Sequence, residues 1–137
     1  MAGYSGTPLI KKLGIKEGYR VSFENAPKGF RAELGDLPPD VVVKRRGQEQ
    51  LDFIIVFSKS ESSLRKEFPI LAQQLKPNGM LWVSWPKKSS SVKTDLRFEN
   101  VQRIGLDAGL VDVKICAING TWSGLKFVFR LRDRHLK

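Results

Sequence analysis

Residues Leu51 to Ser58, LDFIIVFS, form an unbroken β-branched and aromatic run. A strand with one face in water alternates apolar and polar side chains. A run that is apolar at nearly every position is instead covered on both faces, as a central parallel strand under helices is. The chain therefore has to supply helices for both sides of a sheet.

The flanking sequence does so. SGTPLIKKLG reads as a helix with Thr7 as cap, Pro8 at the first helical position, Leu9, Ile10 and Leu13 inward, and Gly14 at the left-handed end. Tyr19 to Glu24 alternates, with Val21 and Phe23 apolar and Arg20, Ser22 and Glu24 polar, which predicts a half-exposed strand. A short helix near Lys28 to Leu34 and a second strand in VVVKRR come next.

After the apolar run, Leu64, Phe68, Leu71 and Leu75 recur at helical spacing over Ser60 to Leu75. Pro69 lies inside that pattern and predicts a kink or a break. KPNGMLWVSW reads as a turn and another buried strand. Thr94 or Asp95 is placed to cap a helix running to about Ala108, with Phe98, Val101 and Ile104 inward and Gly109 at its end. LVDVKICAI and LKFVFRLR, joined by NGTWSG, predict an antiparallel pair, because Asn-Gly is a strong turn signal. Strand and helix alternate, so the expected fold is α/β, three-layered and mostly parallel, in a single domain over residues 1–137.

Composition narrows the class. The longest apolar stretch falls well short of the ~20 residues that span a bilayer, and Leu9-Ile10 is too short to be the core of a signal peptide. The lone Cys116 forms no internal disulfide, and with the single His135 it makes no metal set. Cytoplasmic residence is expected, and Cys116 is read as a core thiol. The net charge of +10 is uneven: residues 1–68 carry 12 basic and 9 acidic side chains, residues 69–137 carry 12 and 5. Nucleic acid, anionic metabolites and acidic proteins are the partners such a charge favours. The longest basic run is only Lys44-Arg45-Arg46, so no motif singles out nucleic acid.

The order DFIIVFS, helix, LKPNGMLWV, helix, GLVDVKICAI, LKFVFRL resembles the carboxyl-terminal half of the class I S-adenosylmethionine-dependent methyltransferase fold. The whole chain, through GYSGTPLIKKLGIK, WVSWPKK and TWSGLKFVFR, also resembles a family of small bacterial proteins described as a domain of unknown function. The methyltransferase resemblance implies a Rossmann-type sheet, and a cofactor loop made of an acidic residue followed by Gly-x-Gly. The chain departs from it there. After Glu24 come Asn25, Ala26 and Pro27, and Pro27 removes an amide donor. Where the family ends its second strand in an acid, this one ends in VVVKRR. Roughly 27 residues between Glu24 and Asp52 leave no room for two ordinary βα units, so the amino-terminal half is truncated. These departures argue against S-adenosylmethionine as cofactor and against methyl transfer.

In open α/β sheets ligands sit beyond the carboxyl ends of the parallel strands. ENAPKG, SKSES and WPKKSS should meet at that edge, bringing together Asn25, Lys28, Ser58, Lys59, Trp85, Lys87, Lys88 and Ser89. Lysines there act as point charges and serines as donors, a set suited to a small anionic ligand or a partner. Trp122, Ser123 and Lys126 join it if the last hairpin folds back to the same edge. Trp82 and Trp85, an odd number apart, should point to opposite faces. No catalytic group is assigned: His135 is two residues from the end, while Asp52 and Asp95 are explained as strand start and helix cap. The leading expectation is a noncatalytic anion-binding domain. The alternatives are a basic protein that associates with nucleic acid, and a methyltransferase with an atypical cofactor loop.

Overall fold

A computed structural model describes residues 7–45 and 50–136, with the side chains of His135 and Leu136 outside the description. Helix α1 (Leu9–Leu13) is followed by strand β1 (Arg20–Glu24), helix α2 (Phe30–Leu34), strand β2 (Val42–Val43) and strand β3 (Leu51–Phe57). Helix α3 (Glu61–Gln73), strand β4 (Leu75–Pro86), helix α4 (Phe98–Asp107) and strands β5 (Leu110–Ala117) and β6 (Trp122–Phe129) complete the fold, ahead of a 3-10 turn at Leu131–Leu136. The sheet order is β2-β1-β3-β4-β6-β5. β2, β1, β3 and β4 are mutually parallel, and β6 runs antiparallel between β4 and β5. Arg46, at the end of the expected second strand, lies outside the described residues.

The apolar run is the centre of the sheet. Alternate residues of β3 belong to two separate cores. Ile54 and Val56 pack with Leu64, Phe68 and Leu71 of α3 and Val101 and Ile104 of α4. Phe53, Ile55 and Phe57 pack with Leu13 of α1 and Phe30 and Leu34 of α2. Each fully buried Ile, Val or Phe contributes about 1.5–3 kcal/mol relative to exposure, so one strand draws both helical layers onto the sheet. The three-layer α/β expectation is met, including the terminal antiparallel pair.

Five local expectations are corrected. β1 is not half-exposed: Ser22 and Glu24 are buried, on the face covered by α3 and α4, where the Ser22 hydroxyl donates to the Glu24 carboxylate. The strand lies inside the sheet, and a short polar pair that satisfies itself can be buried where alternation alone predicts exposure. Pro69 does not break α3, which is helical on both sides of it. Leu64, Phe68 and Leu71 hold that helix to the sheet, and their burial outweighs the roughly 3 kcal/mol that proline costs inside a helix. Leu75 leaves the helix and pairs with Leu51 instead. The KPNG turn is an interruption of the β3–β4 ladder, which resumes at Phe53↔Met80. At the amino terminus the α1 cap position is held by Pro8 and not Thr7, while Gly14 has the expected left-handed φ of 89°.

One close contact sets the α4–sheet distance. A Cβ at Gly105 would lie 2.0 Å from the ring of Phe127, which itself stacks edge-on against Phe68 at 5.2 Å. Gly105→Ala should therefore lower unfolding stability by about 1–3 kcal/mol, with Cm reduced and m unchanged in a urea titration.

Candidate anion-binding site

The carboxyl ends of β1, β3 and β4 do lie side by side, but the loops that follow them form two separate cavities. Strand alternation sends their tryptophans to different cores. Trp82 lies in the core under α1 and α2, where its indole N–H donates to the Leu13 carbonyl at 2.9 Å. Trp85 lies in the other core, under α3 and α4. On β6, Trp122 pairs with Pro86 and Ser123 with Trp85, so these neighbours also part to opposite faces.

The first cavity is a crevice of about 400 Å³ between the ends of β1 and β3. Asn25, Ser58, Lys59 and Trp122 line it, together with Glu67 of α3. Trp122 stands edge-on to Phe57 at 5.2 Å. Asn25 has φ 57°, the left-handed conformation glycine would otherwise supply, and its amide reaches the Glu67 carboxylate at 3.4 Å. The Ser58 hydroxyl donates to the Ser60 carbonyl at 3.2 Å, closing a local turn.

The second cavity is a larger groove of about 730 Å³ beyond β4. Its apolar lining comes from Trp85, Leu96, Phe98 and Ile115, and its charged lining from Lys87, Lys88, Lys93, Arg97 and Glu99. The Trp85–Pro86 peptide is trans. Lys87 is positioned by its own N–H, which donates to the Thr121 carbonyl at 2.7 Å, and by a turn in which Ser90 N–H donates to the Lys87 carbonyl at 3.0 Å. Lys88, Lys93 and Arg97 have no ion pair among the described residues. With four cations and one carboxylate, the groove favours a ligand that carries negative charge and an apolar body.

The predicted set is thus divided. Trp85, Lys87, Lys88 and Ser123 line the groove; Asn25, Ser58, Lys59 and Trp122 line the crevice; Lys28, Ser89 and Lys126 line neither. Lys93 and Arg97 were missed. They lie within the polar SSSVKTDLR stretch, and only the return of that loop toward Trp85 brings them to the groove.

Asp95 has a different role from the one expected. It does not cap α4, whose first turn is held by the Arg97 N–H donating to Asn100 Oδ1 at 2.7 Å. Its carboxylate instead accepts from the Glu61 N–H at the start of α3, at 2.8 Å. Thr94 Oγ1 donates to the Lys59 carbonyl at 2.8 Å, so the groove loop is pinned to the β3 loop at two adjacent points. Asp52 is also structural: it accepts from the Arg20 N–H at 2.8 Å and pairs with Lys76 at 3.1 Å. Cys116 is half-buried, and that burial pushes its thiol up against the downward pull of Lys12 and Lys114. Among the described residues no group of His, Cys, Asp and Glu could hold a metal ion, and no helix is long and apolar enough to cross a membrane.

Lys126 lies beside Trp82, on the face opposite the groove, between Lys114 and Lys16. Burial first, and then those two lysines, push its ammonium below the ordinary lysine value. The folded state therefore binds fewer protons than the unfolded one between the depressed value and the ordinary one, so this residue's destabilisation is relieved as pH rises through that window. Lys126→Met should be more stable than wild type at pH 7, and the difference should shrink toward pH 10.5 in paired urea titrations. Asp95→Ala should cost about 1 kcal/mol in the same assay, the usual loss for a helix cap.

No protein-family model matches the sequence, and no curated protein matches it. Solved structures do share its architecture. Magnesium protoporphyrin IX methyltransferase from Synechocystis PCC 6803, with bound SAH, is similar at TM-score 0.58 and 9% identity, over 89% of this chain and 78% of that one. A SAM-dependent methyltransferase from Aquifex aeolicus gives 0.58 and 18%, over 87% and 86%. The fibrillarin pre-rRNA processing protein of Methanococcus jannaschii gives 0.64 and 12%, over 93% and 71%. At these identities the likeness is one of fold: the chain has a methyltransferase-like, Rossmann-type α/β fold.

Proposed function

We propose that this protein is a noncatalytic methyltransferase-like domain that binds a small anionic ligand in the groove beyond β4. The observation that carries the reading is the ring of Lys87, Lys88, Lys93 and Arg97 around the apolar residues Trp85, Leu96, Phe98 and Ile115. Three lysines supply point charge, Arg97 supplies a planar fork for a carboxylate or phosphate, and the apolar residues receive the ligand's body. The groove lies beyond the carboxyl end of a parallel strand, where this architecture binds ligands.

The residues at the β1–β3 crevice do not fit S-adenosylmethionine. Glu24, which would be the acidic residue of the cofactor loop, is buried and accepts from Ser22 within the sheet. Asn25 reaches across to Glu67, and Pro27 offers no amide. Beyond β2 stand Lys44 and Arg45 where a carboxylate would hold a ribose. No methyl-transfer step is therefore assigned. The reading extends to a single cytoplasmic domain, supported by the one continuous sheet and by the lone Cys116.

The test is a thermal-shift and calorimetric screen of phosphate- and carboxylate-bearing metabolites against wild type and Lys87→Ala/Lys88→Ala, with S-adenosylmethionine as comparator. At least one anion should raise Tm, and the double variant should bind it tenfold or more weakly, about 1.4 kcal/mol. Equal responses from the two proteins, or heat with S-adenosylmethionine at millimolar concentration, would overturn the reading.

A further inference from the structure

The face of the β5–β6 hairpin away from the groove carries a second concentration of positive charge. Lys114 and Lys126 are directly opposite each other in the antiparallel ladder. Like charges at opposed positions repel, and a ladder normally places an opposite charge or a neutral side chain there. Lys126 is half-buried beside Trp82, so water screens that repulsion less well than it would between two fully exposed lysines.

Two more lysines reach the same face from the α1 side. Lys16, which follows α1, acts on Lys126. The Lys12 ammonium donates to the Ala117 carbonyl at the end of β5, at 3.1 Å. In return the Lys114 ammonium donates to the Lys12 carbonyl at 3.0 Å. These reciprocal bonds tie α1 to the hairpin and hold Lys12 and Lys114 there. Neither contact supplies negative charge beyond a carbonyl dipole. Lys16, Lys114 and Lys126 have no carboxylate partner among the described residues. The nearest acid on β5, Asp112, is held by the Gln102 amide of α4 at 3.2 Å, on the other side of the sheet.

We propose that Lys16, Lys114 and Lys126, with Lys12 beside them, form a second anion site, which binds clustered phosphates carrying two or more negative charges. The opposed Lys114 and Lys126, with Lys12 tied to the same hairpin and Lys16 beside them, match the charge of an oligophosphate better than that of a lone carboxylate. Such a ligand relieves the repulsion between the opposed lysines, so its binding is coupled to stability. Clustered phosphate reaches a protein either as a free oligophosphate or as a nucleic-acid backbone. This site is on the opposite face from the Lys87 groove and does not depend on it.

The experiment compares wild type, Lys16→Ala/Lys126→Met and Lys87→Ala/Lys88→Ala in fluorescence anisotropy with a single-stranded oligonucleotide, and in calorimetry with inorganic tripolyphosphate. Circular dichroism and urea titration on each variant establish that it is folded. The Lys16/Lys126 variant should lose tenfold or more in affinity for whichever probe binds wild type, while the Lys87/Lys88 variant retains it. For the oligonucleotide, removing two phosphate contacts should also reduce the slope of log K against log salt by about 1.4. Binding of tripolyphosphate alone assigns the site to free oligophosphates; binding of both, with the reduced slope, assigns it to nucleic acid. Failure of both probes to bind wild type, or equal affinity in the Lys16/Lys126 variant, would overturn the proposal. Loss confined to the Lys87/Lys88 variant would overturn it and leave the groove reading intact.

Discussion

The structure depends on a strand that water cannot touch on either side. Leu51, Phe53, Ile54, Ile55 and Val56 are fully buried, and Phe57 nearly so. From Phe53 onward, Ile54 and Val56 need cover from α3 and α4, while Phe53, Ile55 and Phe57 need cover from α1 and α2. The second layer is thin, because α1 and α2 have five residues each. It is nevertheless sufficient, because aromatic side chains fill what short helices leave. Phe23, Phe30 and Phe57 form edge-on contacts at 5.6 and 4.9 Å, and Trp122 extends the set beyond Phe57.

The same alternation divides the residues beyond the strand ends. Trp122 and Ser123 are adjacent in sequence, yet one lines the crevice and the other the groove. What reads as one lysine- and serine-rich edge is therefore two cavities with different chemistry, one lined by Phe57 and Trp122 and bridged by Asn25 and Glu67, the other cationic around Trp85 and Ile115.

Charge is distributed in the same manner. Many of the carboxylates are committed to structural contacts. Asp52 joins the start of β1 to the turn before β4, Asp95 caps α3, and Asp107 pairs with Arg65 and Arg103. Asp112 holds Gln102, and Glu33 accepts from Asn119. The acids of the second half of the chain are thereby drawn away from its lysines, leaving Glu99 to face the groove cations. Lys87, Lys88, Lys93 and Arg97 gather at the groove, while Lys114 and Lys126 face each other on the other side of the hairpin.

Much of this was legible in the residues. LDFIIVFS specifies a doubly covered strand, Asn119-Gly120 a hairpin, and the odd spacing of Trp82 and Trp85 their opposite faces, because each is a consequence of local geometry or of side-chain period. Where sequence reasoning failed, a contact distant in the chain overrode a local preference. Ser22 and Glu24 are buried because β2 and β3 flank their strand, Pro69 is tolerated because α3 is clamped to the sheet, and Asp95 caps the helix it meets in space rather than the one it precedes. The sequence by itself determined the layers, the strand directions of the core and the sign of the charge, which follow from patterns within a few residues. Only the tertiary structure decided which lysines share a cavity, because that depends on the pairing of β6 between β4 and β5 and on where the Ser89–Arg97 loop returns.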